Sequence, residues 1–297
     1  MSMIEIQQIL ETRQKTLQST MESKPLSELK NQVEEILGNE RNGNDNEKVN
    51  DDEKSSGPKF NSNQEHKSFR NALTSQEDVQ VICEYKPASP SMGDISETKL
   101  EDAIDVFEGS GASAVSILTE ENYFKGSLNN LKSALRITEL PLIRKDFLMH
   151  EYQIYEAKLA GASAVLLMSG VYPDLEGGIE LASQLGMDAL VECRSREDIE
   201  NALKSGAQII GVNNRNFKDF SIDLKVTEEL ARYIPPEIIF VSESGVKRPE
   251  DALRLAKAGA DAVLIGTGIM GQKTKSEMMT AASDIIKALK GSKIQRN

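Results

Sequence analysis

Four segments of this chain repeat one short phrase: Gly109-Ser110-Gly111-Ala112-Ser113-Ala114-Val115, Ala160-Gly161-Ala162-Ser163-Ala164-Val165, Ser205-Gly206-Ala207-Gln208-Ile209 and Ala258-Gly259-Ala260-Asp261-Ala262-Val263. The glycine suits the left-handed turn that closes a helix, the small residue allows close packing, and the aliphatic run suits a strand buried on both faces. Each phrase therefore predicts a helix end running into a strand. The same grammar, extended along the chain, gives eight short apolar runs at 79–86, 112–119, 141–147, 162–169, 188–194, 208–214, 237–244 and 261–267, with amphipathic helical patterns between them. Ser195 to Asp198 reads as a variant capping box, and Pro249 opens a helix that Gly259 ends. Eight β–α units are the count of a closed parallel barrel. An open doubly wound sheet would want a glycine-rich dinucleotide loop after its first strand, and Pro87-Ala88-Ser89-Pro90-Ser91-Met92-Gly93 stands there instead. The expected fold is α/β, a single (β/α)8 TIM barrel with an N-terminal helical extension.

The extension is residues 1–37, where Ile6, Ile9, Leu10 and Leu17, then Leu26, Leu29, Val33, Ile36 and Leu37, recur at helical spacing on either side of Pro25. Its helices are expected to pack on one end of the barrel. Residues 38–67 turn to Asn, Asp, Glu, Ser and Lys, with Val49 and Phe60 almost the only large apolar side chains. Such a stretch buries too little to offset its ordering entropy and is expected to be a disordered linker. The barrel then occupies 68–297. The whole chain carries 35 Lys and Arg against 47 Asp and Glu, a net charge of −12. It should repel phosphate backbones and anionic lipid, so neither a nucleic acid nor a membrane is an expected partner. No apolar run nears the roughly 20 residues of a bilayer span, and no basic-then-apolar leader opens the chain, so a cytoplasmic location is expected. Cys83 and Cys193 lie far apart without metal-ligand spacing and read as two buried thiols.

In such barrels chemistry sits at the C-terminal ends of the strands. Strand one ends Cys83-Glu84-Tyr85-Lys86, and period-two alternation places Glu84 and Lys86 on one face. Strand three ends Arg144-Lys145-Asp146-Phe147, strand five Val191-Glu192-Cys193, strand six Asn213-Asn214-Arg215 and strand seven Ser242-Glu243-Ser244-Gly245. Alternation pairs Lys145 with Phe147 and Asn213 with Arg215. One charged strand end is usually a structural ion pair or a solvated tip. Four that can face inward are another matter, because burying them costs several kcal/mol each unless they pair with one another or with a substrate. Small residues follow strands seven and eight, at Ser244-Gly245 and Gly266-Thr267-Gly268, where backbone N–H groups make the phosphate cradle common in this barrel type. With Lys86, Arg215 and Ser89 they predict a phosphorylated, anionic substrate drawn into a locally basic mouth. Metal chemistry is not expected, since His66 falls in the linker and His150 in a loop.

The motifs Glu84-Tyr85-Lys86-Pro87-Ala88-Ser89-Pro90-Ser91, Ser116 to Ser127, Arg144-Lys145-Asp146-Phe147, Glu151 to Ala157, Gly211 to Asn216 and Ser242-Glu243-Ser244-Gly245 together resemble the indole-3-glycerol phosphate synthase family, in unbroken order from about 70 to the C-terminus. The resemblance implies a decarboxylating ring closure of 1-(2-carboxyphenylamino)-1-deoxyribulose 5-phosphate in tryptophan biosynthesis, with no cofactor. It implies Lys145 as general acid and Glu192 as base. Lys86 would hold the substrate carboxylate, Glu84 would orient Lys86 or a substrate hydroxyl, and Asn213 and Ser244 would be polar positions near the substrate. Phe124 and Phe147 would form an apolar wall, and Arg215, Ser89, Gly245, Gly266 and Thr267 would handle phosphate. Two departures from the family pattern are the long acidic segment before strand one and Thr267 where serine is common. The expected partner is a small anionic sugar phosphate, and a monomer is compatible with the sequence, which does not itself report oligomeric state. The competing readings are another phosphate-binding barrel enzyme, such as phosphoribosylanthranilate isomerase or a Schiff-base aldolase, and a catalytically silent barrel subunit.

Overall fold

The computed structural model describes residues 6–43 and 68–296. Strands β1 (Gln80–Tyr85), β2 (Ala114–Leu118), β3 (Leu142–Lys145), β4 (Ala164–Met168), β5 (Asp188–Cys193), β6 (Ile209–Asn213), β7 (Ile239–Glu243) and β8 (Ala262–Ile265) close into one barrel. All neighbours pair in parallel and in sequence order, with β8 returning to β1. Each strand lies inside one of the eight apolar runs, so the barrel expectation is borne out. The helices in chain order are α1 (Ile6–Ser23), α2 (Leu26–Gly43), α3 (Phe69–Ala72), α4 (Leu100–Ser110), α5 (Leu128–Ala134), α6 (Glu151–Leu159), α7 (Leu175–Gln184), α8 (Arg196–Lys204), α9 (Lys225–Leu230), α10 (Pro249–Lys257), α11 (Thr267–Met270) and α12 (Lys275–Ala288). The glycines of the repeated phrases, Gly111, Gly161, Gly206 and Gly259, all hold positive φ, between 83° and 96°, where a helix turns towards the next strand.

Alternation divides the strands into two apolar sets. Ile82, Ala114, Ile143, Leu190, Val241 and Leu264 gather inside the barrel, while Val81, Val115, Val165, Val191, Ile210 and Val263 face the helices. Phe69 and Leu73 close the base of the inner set, where the Arg70 backbone N–H donates to Asp188 at the start of β5 (2.9 Å). That plug leaves the opposite end, where the strands finish, open for a cavity.

Pro25 separates α1 from α2 as expected, but the two helices do not share one end of the barrel. Helix α1 lies beside the mouth: Ile9 joins the cluster of Phe147, and Thr12 is 3.1 Å from the Tyr123 hydroxyl. Helix α2 packs instead on the flank, against α6, where Leu29 meets Tyr152. It also runs on to Gly43, past the expected boundary at 37. The linker expectation from 44 to 67 lies outside the described residues. Cys83 and Cys193 are buried and unbridged, and burial pushes the Cys83 thiol up to about 12. Ser195 caps α8 by accepting from the Asp198 N–H (3.1 Å), while the Asp198 carboxylate reaches Arg194 rather than Ser195, so the box is only half formed. His150 caps α6 by accepting from the Tyr152 N–H. No helix among the described residues is long and apolar enough to cross a membrane.

Candidate active site

The open end of the barrel holds a cavity of about 360 Å³ bounded by the ends of β1, β3, β5, β6, β7 and β8. Strand phase decides what enters it. Ile82, Leu190 and Val241 point inward, so Glu84, Glu192 and Glu243, two residues further along, do so too. Lys86 Nζ sits 2.8 Å from Glu84 Oε1, and Lys145 Nζ lies between Glu243 Oε2 (3.1 Å) and Glu192 Oε2 (3.4 Å). The structure thus brings Glu84, Lys86, Lys145 and Glu192 together in one cup, as their strand ends predicted.

Three buried oxygens in that cup, Glu84 Oε2, Glu192 Oε1 and Glu243 Oε1, have no hydrogen-bond partner. A buried carboxylate oxygen without a donor is costly, and such orphans collect where a ligand will complete them. Two glycines make room for the cluster. A Cβ on Gly211 would overlap Glu243 Oε1, and one on Gly266 would overlap Glu84 Oε1 and stand 3.0 Å from Lys86 Nζ. Gly266 therefore serves the ion pair as well as the expected phosphate turn.

Electrostatics in the cup are coupled. Burial alone would lower the Lys145 pKa, but Glu243, Glu192 and Glu84 together drive it above the ordinary lysine range. Glu243 moves up to about 7, chiefly through burial and with Glu192 adding repulsion, against the pull of Lys145. A carboxyl raised this far is partly protonated near neutrality, and protonation weakens its hold on Lys145. The cup contains a cationic acid in contact with carboxylates, one of them, Glu243, raised by burial, which is the equipment of proton transfer.

The remaining expected residues fall into three groups. Asn213, Arg215, Ser244, Gly245, Gly266 and Thr267 all line the cavity. Asn213 Oδ1 accepts from the Arg215 N–H (3.0 Å), and Ser244 holds φ of 67° in the turn that presents Gly245. Phe124 and Phe147 also line it, with ring centroids 6.1 Å apart and planes tilted by 47°. Glu120 holds the Phe124 loop by accepting from the N–H groups of Asn122, Tyr123 and Phe124. Ser89 does not line the cavity. It is buried in a two-residue pairing with Gly93, and Ser91 lines the rim in its place, accepting from Arg215 Nη1 (3.2 Å). The Ser89 hydroxyl lies 3.5 Å from that of Ser91, directly behind the rim.

Three residues were missed by sequence reasoning. Glu243 stood at a quoted strand end but was not singled out. Lys247 lines the cavity on the turn after β7. Arg13 of α1 reaches Asp146 Oδ2 at 2.7 Å, where Arg144 (3.2 Å) and Thr119 (2.7 Å) also meet it. Burial would raise the Asp146 pKa, but Arg13 and Arg144 hold it below the usual carboxylate range. Asp146 sits between Lys145 and Phe147, so this network braces the tip of β3 from behind.

Residues 33–281 match the family profile described as indole-3-glycerol phosphate synthase. Among curated relatives, the indole-3-glycerol phosphate synthase of Methanothermobacter marburgensis is 41% identical over 285 residues, 96% of this chain and 93% of that one. The enzyme of the same name from Caldanaerobacter subterraneus subsp. tengcongensis is 46% identical over 204 residues, 68% of this chain and 79% of that one. Of solved structures, thiamine phosphate pyrophosphorylase from Pyrococcus furiosus superposes with a TM-score of 0.55 at 17% identity, over 71% of this chain and 95% of that one, a likeness of fold alone.

Proposed function

The chain belongs to the indole-3-glycerol phosphate synthase family, and from that premise we propose how its residues divide the decarboxylating ring closure of 1-(2-carboxyphenylamino)-1-deoxyribulose 5-phosphate. The observation that carries the assignment is the meeting of Lys145 and Lys86 with three carboxylates that each keep one unpaired buried oxygen. A silent scaffold gains nothing from such a cluster, whose burial is costly.

The ring carbon that bears the carboxylate attacks the ketone carbon of the sugar chain. As that bond forms the ketone oxygen takes a proton from the Lys145 ammonium and becomes a hydroxyl. Carbon dioxide then leaves, and the electron pair of its bond restores the aromatic ring. Pushed by the ring nitrogen, the hydroxyl departs as water with a proton from the Lys86 ammonium, freed by the loss of the carboxylate, and Glu192 takes the proton from the neighbouring methylene carbon to complete the indole. Lys86, steadied by Glu84, holds the substrate carboxylate until it is lost. Phe124 and Phe147 flank the anthranilate ring, and the turns at Gly245 and at Gly266 to Thr267 seat the phosphate with Arg215.

The test is product identity. Purified chain given the carboxyphenylamino sugar phosphate labelled with ¹³C at the carboxyl should release one equivalent of labelled carbon dioxide per fluorescent indole formed. An isomerised sugar without gas release, or a borohydride-trapped adduct on Lys145, would point to the isomerase or aldolase reading instead.

A further inference from the structure

Of the cations lining the cup, Lys247 is the one whose side chain makes neither an ion pair nor a hydrogen bond within the described chain. Lys86 is paired with Glu84 and Lys145 with Glu243 and Glu192, while Arg215 Nη1 is engaged by Ser91 Oγ and the Phe220 carbonyl (both 3.2 Å). Lys247 is exposed and lines the same cavity, and its one recorded bond is from the backbone N–H to Asp251 (3.0 Å). Its position follows from close packing of the two small-residue turns. A Cβ on Gly268 would overlap the Val246 carbonyl and come within 3.3 Å of Lys247 Cα, so the turn after β7 rests directly on the turn after β8.

Charge balance gives this lysine its meaning. Glu84, Glu192 and Glu243 are equalled in number by Lys86, Lys145 and Arg215, and Asp146 is answered from behind by Arg13 and Arg144. Without Lys247 and with all three carboxylates ionised the cup is neutral, within a chain of net charge −12. With it the cup is positive at the end where the two small-residue turns meet. An incoming phosphate dianion would otherwise find only backbone dipoles and an arginine already engaged.

We propose that Lys247 is a phosphate-recognition residue, placing its ammonium against the substrate phosphate seated on the turns after β7 and β8. The proposal rests on the reading of those turns as the phosphate seat. It makes Lys247 a determinant of affinity for the phosphorylated substrate and not of the chemical steps, since it lies outside the Lys145 cluster.

The experiment compares wild type, K247A, K247R and, as a control for net charge, K204A. Lys204 is the exposed last residue of α8, in a groove with Arg70 and Asp188 at the closed end of the barrel. Steady-state kinetics are measured with inorganic phosphate as a competing ligand. K247A should raise KM for the sugar phosphate roughly tenfold and raise the inhibition constant of phosphate by a similar factor, with kcat within about twofold of wild type. K247R should recover most of both, and K204A should match wild type. If phosphate competes with substrate in wild type yet K247A keeps the wild-type KM and inhibition constant, or if K204A reproduces its effect, Lys247 is not a phosphate residue. If phosphate does not compete in wild type at all, the phosphate seat itself is misplaced and the role of Lys247 goes with it.

Discussion

Lys145 can act as an acid only if the carboxylates around it loosen their hold as the ketone oxygen arrives. Glu243 is the residue placed to do this, because it is the nearer of the two and titrates at about 7. An unfolded glutamate titrates near 4.3, so over the interval up to about 7 the folded chain holds this proton more tightly. Protonation therefore favours folding, and the contribution of Glu243 to stability declines as pH rises through that interval. Glu243→Gln removes the linkage. Its melting temperature relative to wild type should climb by a few degrees between pH 5 and pH 7.5, while kcat falls roughly 10- to 100-fold. A melting difference that stays constant with pH would contradict a raised Glu243 carboxyl. Glu243 was hidden in the sequence for a physical reason. Phe240 and Val241 are both apolar, as suits a strand buried on both faces, so nothing in β7 sets its phase and either Glu243 or Ser244 could have faced the cup. The signal that could have found it lies on the neighbouring strand. Gly211 interrupts an otherwise β-branched run, and a glycine inside a strand marks a close approach.

That pairing of β6 with β7 is a property of elements. Gly211 is in register with Val241, and its missing side chain is the space Glu243 occupies. Gly211→Ala should displace the carboxylate and crowd Leu190, whose Cδ1 would lie 3.2 Å from the new methyl. We expect a stability loss of about 1–3 kcal/mol and a fall in kcat similar to that of Glu243→Gln, read by urea unfolding and steady-state assay. Unchanged kcat would mean the position of Glu243 is not critical. Helix α1 is tied to the tip of β3 by Arg13, whose side chain and that of Asp146 are 8% and 0% exposed. Arg13→Met should cost about 3 kcal/mol, because Asp146 is left with Arg144 as its one cationic partner. A loss below roughly 1 kcal/mol would show that apolar contacts such as Ile9 hold the helix unaided. The amphipathic spacing made both N-terminal helices legible but could not reveal where each docks, since an apolar stripe specifies that a face is buried and not against what.

At the scale of the whole molecule the barrel was legible because its repeated phrase encodes one geometric event four times over: a helix ends and a doubly buried strand begins. The cup was legible as far as alternation on β1, β3 and β5 carries it. Long-range placement, such as Ser91 on the rim beside Arg215 or Arg13 behind Asp146, depends on loop paths and helix docking that no local pattern fixes. The chemistry proposed assigns no role to residues 44–67. Replacing residues 44–67 by a Gly-Ser segment of equal length should leave kcat, KM and the melting temperature unchanged, and a loss of activity would assign the stretch a role. The central claim is that one water-poor cluster, organised around Lys145, performs the ring closure. Its most direct test is the turnover of Lys145→Ala beside wild type, followed by indole fluorescence, with circular dichroism on the same samples. The account predicts a fall in kcat of about 10²–10⁴ with the folded spectrum retained. A correctly folded variant that turns over within a few-fold of wild type would contradict it.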